Sequence, residues 1–279
     1  VSFVWFQTFA TFAICCLLFD NLYHKITTLI RDFITEKLKQ AFKGREFLSR
    51  QELFDFFLQF EPDLKESTFR WRIYNLKDKN IISPISRQQF TLANKPVFEP
   101  LIGERERKIS TLIQKQFKEL KFAVWSTRTI NEFMLHQPAR FSTILEVEKD
   151  AVEPVFYFLK DSKIKDVFLD PEEKEIDRYI SGLENAVVVL PLVSKAPIQG
   201  IKNAATITIE KLLVDLFSDK QLFNAYQGRE LTHIYNNAYS RYTIDFTKLF
   251  SYATRRRKAE DLKNFLLQKT DIPQTIFND

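Results

Sequence analysis

Residues 66–79 read ESTFRWRIYNLKDK and run into Asn80-Ile-Ile-Ser83. At 100° per residue, Phe69, Ile73 and Leu76 fall on one stripe, spaced i, i+4, i+7. That stripe suits packing against other helices. The opposite face carries Ser67, Arg70, Trp71, Tyr74 and Asn75, with Arg72 and Lys77 on the flanks. A guanidinium can meet guanine or phosphate, an amide can meet adenine, and aromatic rings can touch thymine methyls. The stretch therefore reads as a recognition helix. Its bland alternative is a solvated helix with Trp71 and Tyr74 buried against a neighbour.

The flanking sequence supports the first reading. Residues 31–43 form an amphipathic helix with Phe33, Leu38 and Phe42 among its apolar positions, and Gly44 suits its end. Phe47-Leu48 is a short extended link. Ser49 and Glu52 have the spacing of a capping box, so a second helix is expected over about residues 50–60. After the third helix, Ile81-Ile82 and Phe90-Thr-Leu92 are short β-prone runs. The segment between them forms a wing with Arg87 and Gln88 near its tip. The order helix, strand, helix, helix, strand, strand is that of a winged helix. Ser67, Arg70, Trp71, Arg72, Tyr74, Asn75, Lys77 and Arg87 are the expected DNA-binding residues. Arg70, Trp71, Tyr74 and Asn75 would line or read the groove, and Arg72, Lys77 and Arg87 would hold phosphates.

Composition sets the remaining bounds. The 279 residues are 45% hydrophobic, enough for two cores. The five glycines are widely separated, so neither a P-loop nor a dinucleotide fingerprint is available. Cysteine occurs only as Cys15-Cys16, which offers no disulfide framework or thiolate zinc site and fits a reducing cytoplasm. His24, His136 and His233 form no metal-ligand pattern. No cofactor and no metal are expected. The net charge of +5 permits nucleic-acid binding without demanding it.

Residues 1–19 carry no charge and are just long enough to span a membrane. No basic region precedes them, so they do not read as a secretory signal. The expectation is a dispensable apolar extension over residues 1–30, with a membrane anchor as its rival. Residues 31–97 are the winged-helix domain, and Pro96, Pro100 and Gly103 mark a linker over 94–103.

Residues 104–279 alternate helical and strand patterns, giving a mixed α/β domain with C-terminal helices. Strands are expected at Phe122–Trp125, Phe141–Val147, Val167–Leu169 and Ala186–Leu190. Asp170 is the expected cap of the helix that follows the third strand. The clearest helix spans Thr206–Ser218, with Ile209, Leu212, Leu213, Leu216 and Phe217 on one stripe. Two long helices close the chain, about 224–240 and 245–267, the last carrying Arg255-Arg-Arg-Lys258.

The winged helix, the α/β domain and the run TITIEKLLVD over 206–215 together resemble AbiEi-type antitoxins of type IV toxin–antitoxin systems. Thr208, Glu210, Lys211, Leu213 and Asp215 would occupy a helix motif that recurs in that family's second domain. The resemblance implies a DNA-binding repressor of its own operon that counteracts a nucleotidyltransferase-like toxin. Under it, Glu210, Lys211 and Asp215 are expected to face a partner. The expected partners are double-stranded DNA and such a toxin, and no catalytic residue is assigned. A second reading is a metal-dependent nuclease of PD-(D/E)xK type. It would use Glu146 and Glu148 at a strand end, with Glu132 the nearest upstream acid. The plainer account of Glu146-Val-Glu-Lys-Asp150 is a strand end and a helix cap.

Overall fold

The computed structural model describes residues 33–45, 47–86, 88–92 and 95–277. The N-terminal extension and Arg87 lie outside the described residues. Among the described residues, no helix is long and apolar enough to cross a membrane. The chain divides into two compact units. One comprises the residues through Ser83 with Phe90–Leu92, and the other Pro84–Gln89 with the residues from Ala93 onward.

The first unit is a winged helix. Helix α1 spans 33–41, followed by β1 (Leu48–Ser49), α2 (Arg50–Leu58), α3 (Glu66–Asp78), β2 (Ile82–Pro84) and β3 (Gln89–Leu92). The three strands pair in the order β1-β3-β2. Phe69, Ile73 and Leu76 are buried in one core with Leu38, Phe42, Leu53, Phe56 and Phe57. Rings interlock within it, with Phe57 and Phe69 edge to face at 6.1 Å. The capping box starts α2 as the spacing requires. The Glu52 amide donates to Ser49 Oγ (3.1 Å), and the Ser49 amide donates to Glu52 Oε2 (2.8 Å). That amide, with Arg45, holds the Glu52 carboxyl below the usual carboxylate range.

The second unit is built on a four-stranded sheet, β4 (Phe122–Ser126), β5 (Thr143–Val147), β7 (Val187–Pro191) and β6 (Val167–Leu169), in that order. β5, β6 and β7 run parallel, and β4 is an antiparallel edge. Alternation along the strands sorts side chains to two faces. Leu145 and Val147 face α4 (Glu104–Gln116) and α5 (Val152–Asp161), sharing a core with Ile109, Ile113, Val155 and Leu159. Ile144 and Glu146 face the other way. That side is covered by α7 (Ile209–Ser218), which packs with α8 (Arg229–Arg241) and α9 (Phe246–Arg255). The chain ends with α10 (Ala259–Lys269) and a 3-10 turn at Gln274–Phe277.

Several local expectations are corrected. A 3-10 helix, Thr127–Phe133, capped by Ser126, follows β4. Asp170 does not cap a helix. It sits at φ 38°, and Glu172 caps the short α6 (Glu173–Glu175), which continues into a π turn at Ile176–Ile180. Residues 204–207 are not helical. They form β9 (Ala204–Ile207), hairpin partner of β8 (Ile198–Ile201). Lys202 and Asn203 between them both have positive φ, as a two-residue hairpin turn requires. The last long helix is in fact two, broken at Arg256–Lys258.

Removing the cap hydroxyl should weaken the winged helix alone. Ser49→Ala is expected to cost about 1 kcal/mol, measured by chemical denaturation with Trp71 fluorescence as reporter. An unchanged midpoint would mean the box contributes nothing.

Candidate nucleic-acid interface and the buried charge network

Helix α3 presents two different faces because its apolar stripe is narrow. With Phe69, Ile73 and Leu76 inward, Arg70, Trp71 and Tyr74 project outward, Trp71 54% and Tyr74 66% exposed. Ser67 and Lys77 are exposed on the same helix, and Lys77 Nζ lies 5.1 Å from the Phe90 ring centre. Asn75 is half-buried, and its Nδ2, which is itself buried, has no hydrogen-bond partner among the described residues. It lines a cavity of about 200 Å³ with Trp71, Leu76, Ile34 and Leu38. A donor amide, exposed rings and basic groups thus share one helix.

Not every expected contact is presented this way. Arg72 is ion-paired with Glu61 and stacks 5.1 Å over the Phe57 ring. The phosphate role expected of it gives way to an internal one, since leaving would expose the ring and unpair Glu61. Arg70 pairs with Glu66 at 3.4 Å, and Glu66 also binds Arg50. Those two guanidiniums, Arg50 foremost, hold the Glu66 carboxyl below its ordinary range. Arg70 is itself mostly exposed, so its solvent-screened pair with Glu66 contributes little and is readily exchanged for another anion.

The three residues expected to face a partner lie inside the second unit. Glu210 is 4%, Lys211 0% and Asp215 6% exposed. This corrects the partner-facing assignment, and the cause is that α7 is covered on every side. Thr208 caps α7 through its hydroxyl. Glu210 Oε1 accepts from the Asp245 amide at the start of α9 (3.1 Å). Lys211 reaches through the core to the sheet. Its Nζ donates to Glu146 Oε1 (2.6 Å), Asp215 Oδ2 (2.5 Å) and Tyr252 Oη (3.3 Å). Tyr252 Oη donates in turn to Asp215 Oδ1 (2.8 Å), which Arg256 Nε approaches to 3.7 Å. Trp125 Nε1 donates to Glu146 Oε2 at 3.4 Å.

All three ammonium donors are used, and two cations face two carboxylates. Burial by itself disfavours the ammonium, but Asp215 and Glu146 outweigh it and raise the Lys211 pKa above its usual value. Burial raises the Glu146 carboxyl, with Asp215 adding to that and Lys211 opposing it. Burial and the Asp215 charge also raise the Tyr252 and Tyr235 phenols. Tyr235 Oη donates to the Leu213 carbonyl at 2.7 Å.

The carboxylates named for nuclease chemistry are spent elsewhere. Both Glu146 oxygens are engaged in this network, Glu148 is exposed, and Glu132 accepts from Tyr242 Oη at 2.8 Å. Among the described residues, no group of three or more His, Cys, Asp or Glu side chains is placed to hold a metal ion. A cavity of about 80 Å³ lies beside the network, bounded by Trp125, Glu146, Asp170, Asp215 and Arg256 at the carboxyl ends of the parallel strands.

The comparison with protein families bears on this architecture as a whole. The chain belongs to DUF6577. This is a family of unknown function, and it matches residues 68–272, from α3 through Ile272. No curated protein matches the chain. The buried network therefore lies wholly within the family's span, as does most of α3.

Breaking the network on one side should be severe. Lys211→Met leaves two buried carboxylates with only Arg256, beside Asp215, to offset them and is expected to cost about 3–5 kcal/mol, whereas Lys211→Met with Glu146→Leu and Asp215→Leu recovers much of that. Equal loss in the single and triple variants, by urea denaturation, would count against a compensated charge network. Alkaline pH offers a second check. Lys211, Tyr235 and Tyr252 keep their protons in the folded state above the values of 10.5 and 10.0 that they have unfolded. Their contribution is complete below about pH 10 and is lost as pH rises beyond it, because the unfolded chain then binds fewer protons. Tyr235→Phe should make that fall shallower by about one proton, read from melting temperature against pH.

Proposed function

We propose that this protein is a sequence-specific DNA-binding transcriptional regulator that uses α3 in the major groove. The observation that carries it is the exposed face of α3, where Arg70, Trp71 and Tyr74 point outward beside the half-buried Asn75. A solvated structural helix would not need two large aromatic rings in water. Asn75 and Arg70 supply base-edge chemistry, the rings supply apolar contact, and Ser67 and Lys77 supply backbone contacts. Gln88 stands at the wing, and a phosphate contact is expected from the sequence of Arg87, which lies outside the described residues. Arg72 is left out of the contact set because of its pair with Glu61.

The resemblance to AbiEi-type antitoxins supports a narrower form of the same proposal. In that form the chain represses its own operon and counteracts a nucleotidyltransferase-like toxin in the cytoplasm. Burial of Thr208–Asp215 makes that motif a device for holding the second unit together, so any toxin contact is assigned to other surfaces.

The test is binding of the chain to DNA upstream of its own gene across a salt series, with scrambled DNA as control. Specific binding with a steep negative salt slope is expected. Lys77→Ala should reduce the slope by about 0.9 and weaken all sequences alike. Arg70→Ala with Asn75→Ala should cost about 1–3 kcal/mol per lost base contact and erase the preference over scrambled DNA. Operator binding unchanged in the double variant sinks the proposal.

A further inference from the structure

The turn Arg255-Arg-Arg-Lys258 joins α9 to α10 in a geometry that normally calls for glycine. The Lys258 amide donates to the Ala253 carbonyl (2.9 Å) and the Arg257 amide to the Thr254 carbonyl (3.0 Å). That double closure places Arg257 in the left-handed region, at φ 56°. An arginine there carries a backbone cost that glycine avoids.

The turn borders a groove of about 860 Å³ within the second unit. Its base is aromatic: Phe246 and Phe250 each meet Phe277 edge to face, at 5.5 and 5.9 Å. Arg255, Arg257 and Lys263 stand on its rim with one acid, Glu260. Arg256 and Lys258 have partners, Asp215 and Asp261, but the side chains of Arg255, Arg257 and Lys263 have none among the described residues. The first turn of α10, an eleven-residue helix, opens on the same groove through Ala259 and Glu260. Its cap residue, Lys258, makes no side-chain cap bond, which leaves backbone N–H groups unmet. Ser86, only 9% exposed, lines the groove as well, and its hydroxyl has no hydrogen-bond partner among the described residues.

Unpaired cations, an uncapped helix start and an unmet buried hydroxyl favour one kind of ligand group. We propose that this groove binds a small phosphate-bearing molecule. The phosphate sits between the start of α10 and the cations Arg255, Arg257 and Lys263, with the Ser86 hydroxyl alongside. The phenylalanine base takes the apolar part of the ligand. The site uses none of the α3 residues and meets the DNA reading only at Ser86, which lies in the wing beside Arg87.

Arg257→Gly separates binding from folding, because glycine relieves the backbone at that position while removing the cation. The experiment titrates the full chain with inorganic phosphate, with AMP and with a short random DNA duplex, by calorimetry, in wild type, Arg257→Gly and Lys263→Ala. Expected are binding of phosphate and tighter binding of AMP by the wild type. Each variant should bind about tenfold more weakly, and Arg257→Gly should melt at or above the wild-type temperature. Three results overturn the proposal: no binding of phosphate or AMP at millimolar concentration, unchanged affinity in both variants, or binding of the duplex alone, which would make the groove a nucleic-acid surface.

Discussion

One ammonium group organises the second unit. Lys211 Nζ is fully enclosed, and its three donors run to a strand, to its own helix and to a neighbouring helix. A charge in such a place is tolerable only when its partners are fixed. The sheet must then present Glu146 on the α7 side, α7 must turn Lys211 and Asp215 together, and α9 must bring Tyr252 within reach. A slip of β5 by one residue would move Glu146 to the opposite face, among Ile109, Ile113 and Val155. Such a register would leave Lys211 without Glu146 and is penalised for that reason.

That constraint also bears on the C-terminal basic turn. Arg256 faces inward toward Asp215, while Arg255 and Arg257 stand at the groove on either side of it. The inward arginine is the central residue of the turn that ends α9. The core charge network and the surface groove therefore draw on neighbouring residues of one turn, whose backbone is left-handed at Arg257. The first unit is held differently. Its core is made of aliphatic and phenylalanine side chains, and apart from the part-buried Arg72–Glu61 pair, ion pairs such as Arg70–Glu66 sit at the surface, where they contribute little.

The winged helix was legible because its signals are local. The i, i+4, i+7 stripe of α3, the Ser49–Glu52 capping box and the β-prone runs at Ile82 and Phe90 each act within a few residues. The exposed face of α3 follows from the stripe, since what does not point in must point out. Arg72 was not legible in the same way. Its partner, Glu61, lies on the preceding connection and the ring beneath it on α2, so no spacing within α3 distinguishes it from Arg70. The β8–β9 hairpin was hidden by apolar residues that continue the α7 pattern upstream of Thr208. The break after α9 was hidden because an arginine occupies the position where glycine would have announced it.

The sequence alone determined the winged helix, the α/β alternation, the caps and the two faces of α3, because each rests on periodicity or on side chains bonding their own backbone. Only the tertiary structure decided what α7 does. Its stripe predicted one buried face, and its charged residues looked like a surface. Packing of α8, α9 and the sheet around the helix encloses all sides. Glu146 lies 65 residues before Lys211 in the chain, and no local pattern can announce a partner at that distance. The charges are inside because the fold brings opposite charges to meet them there.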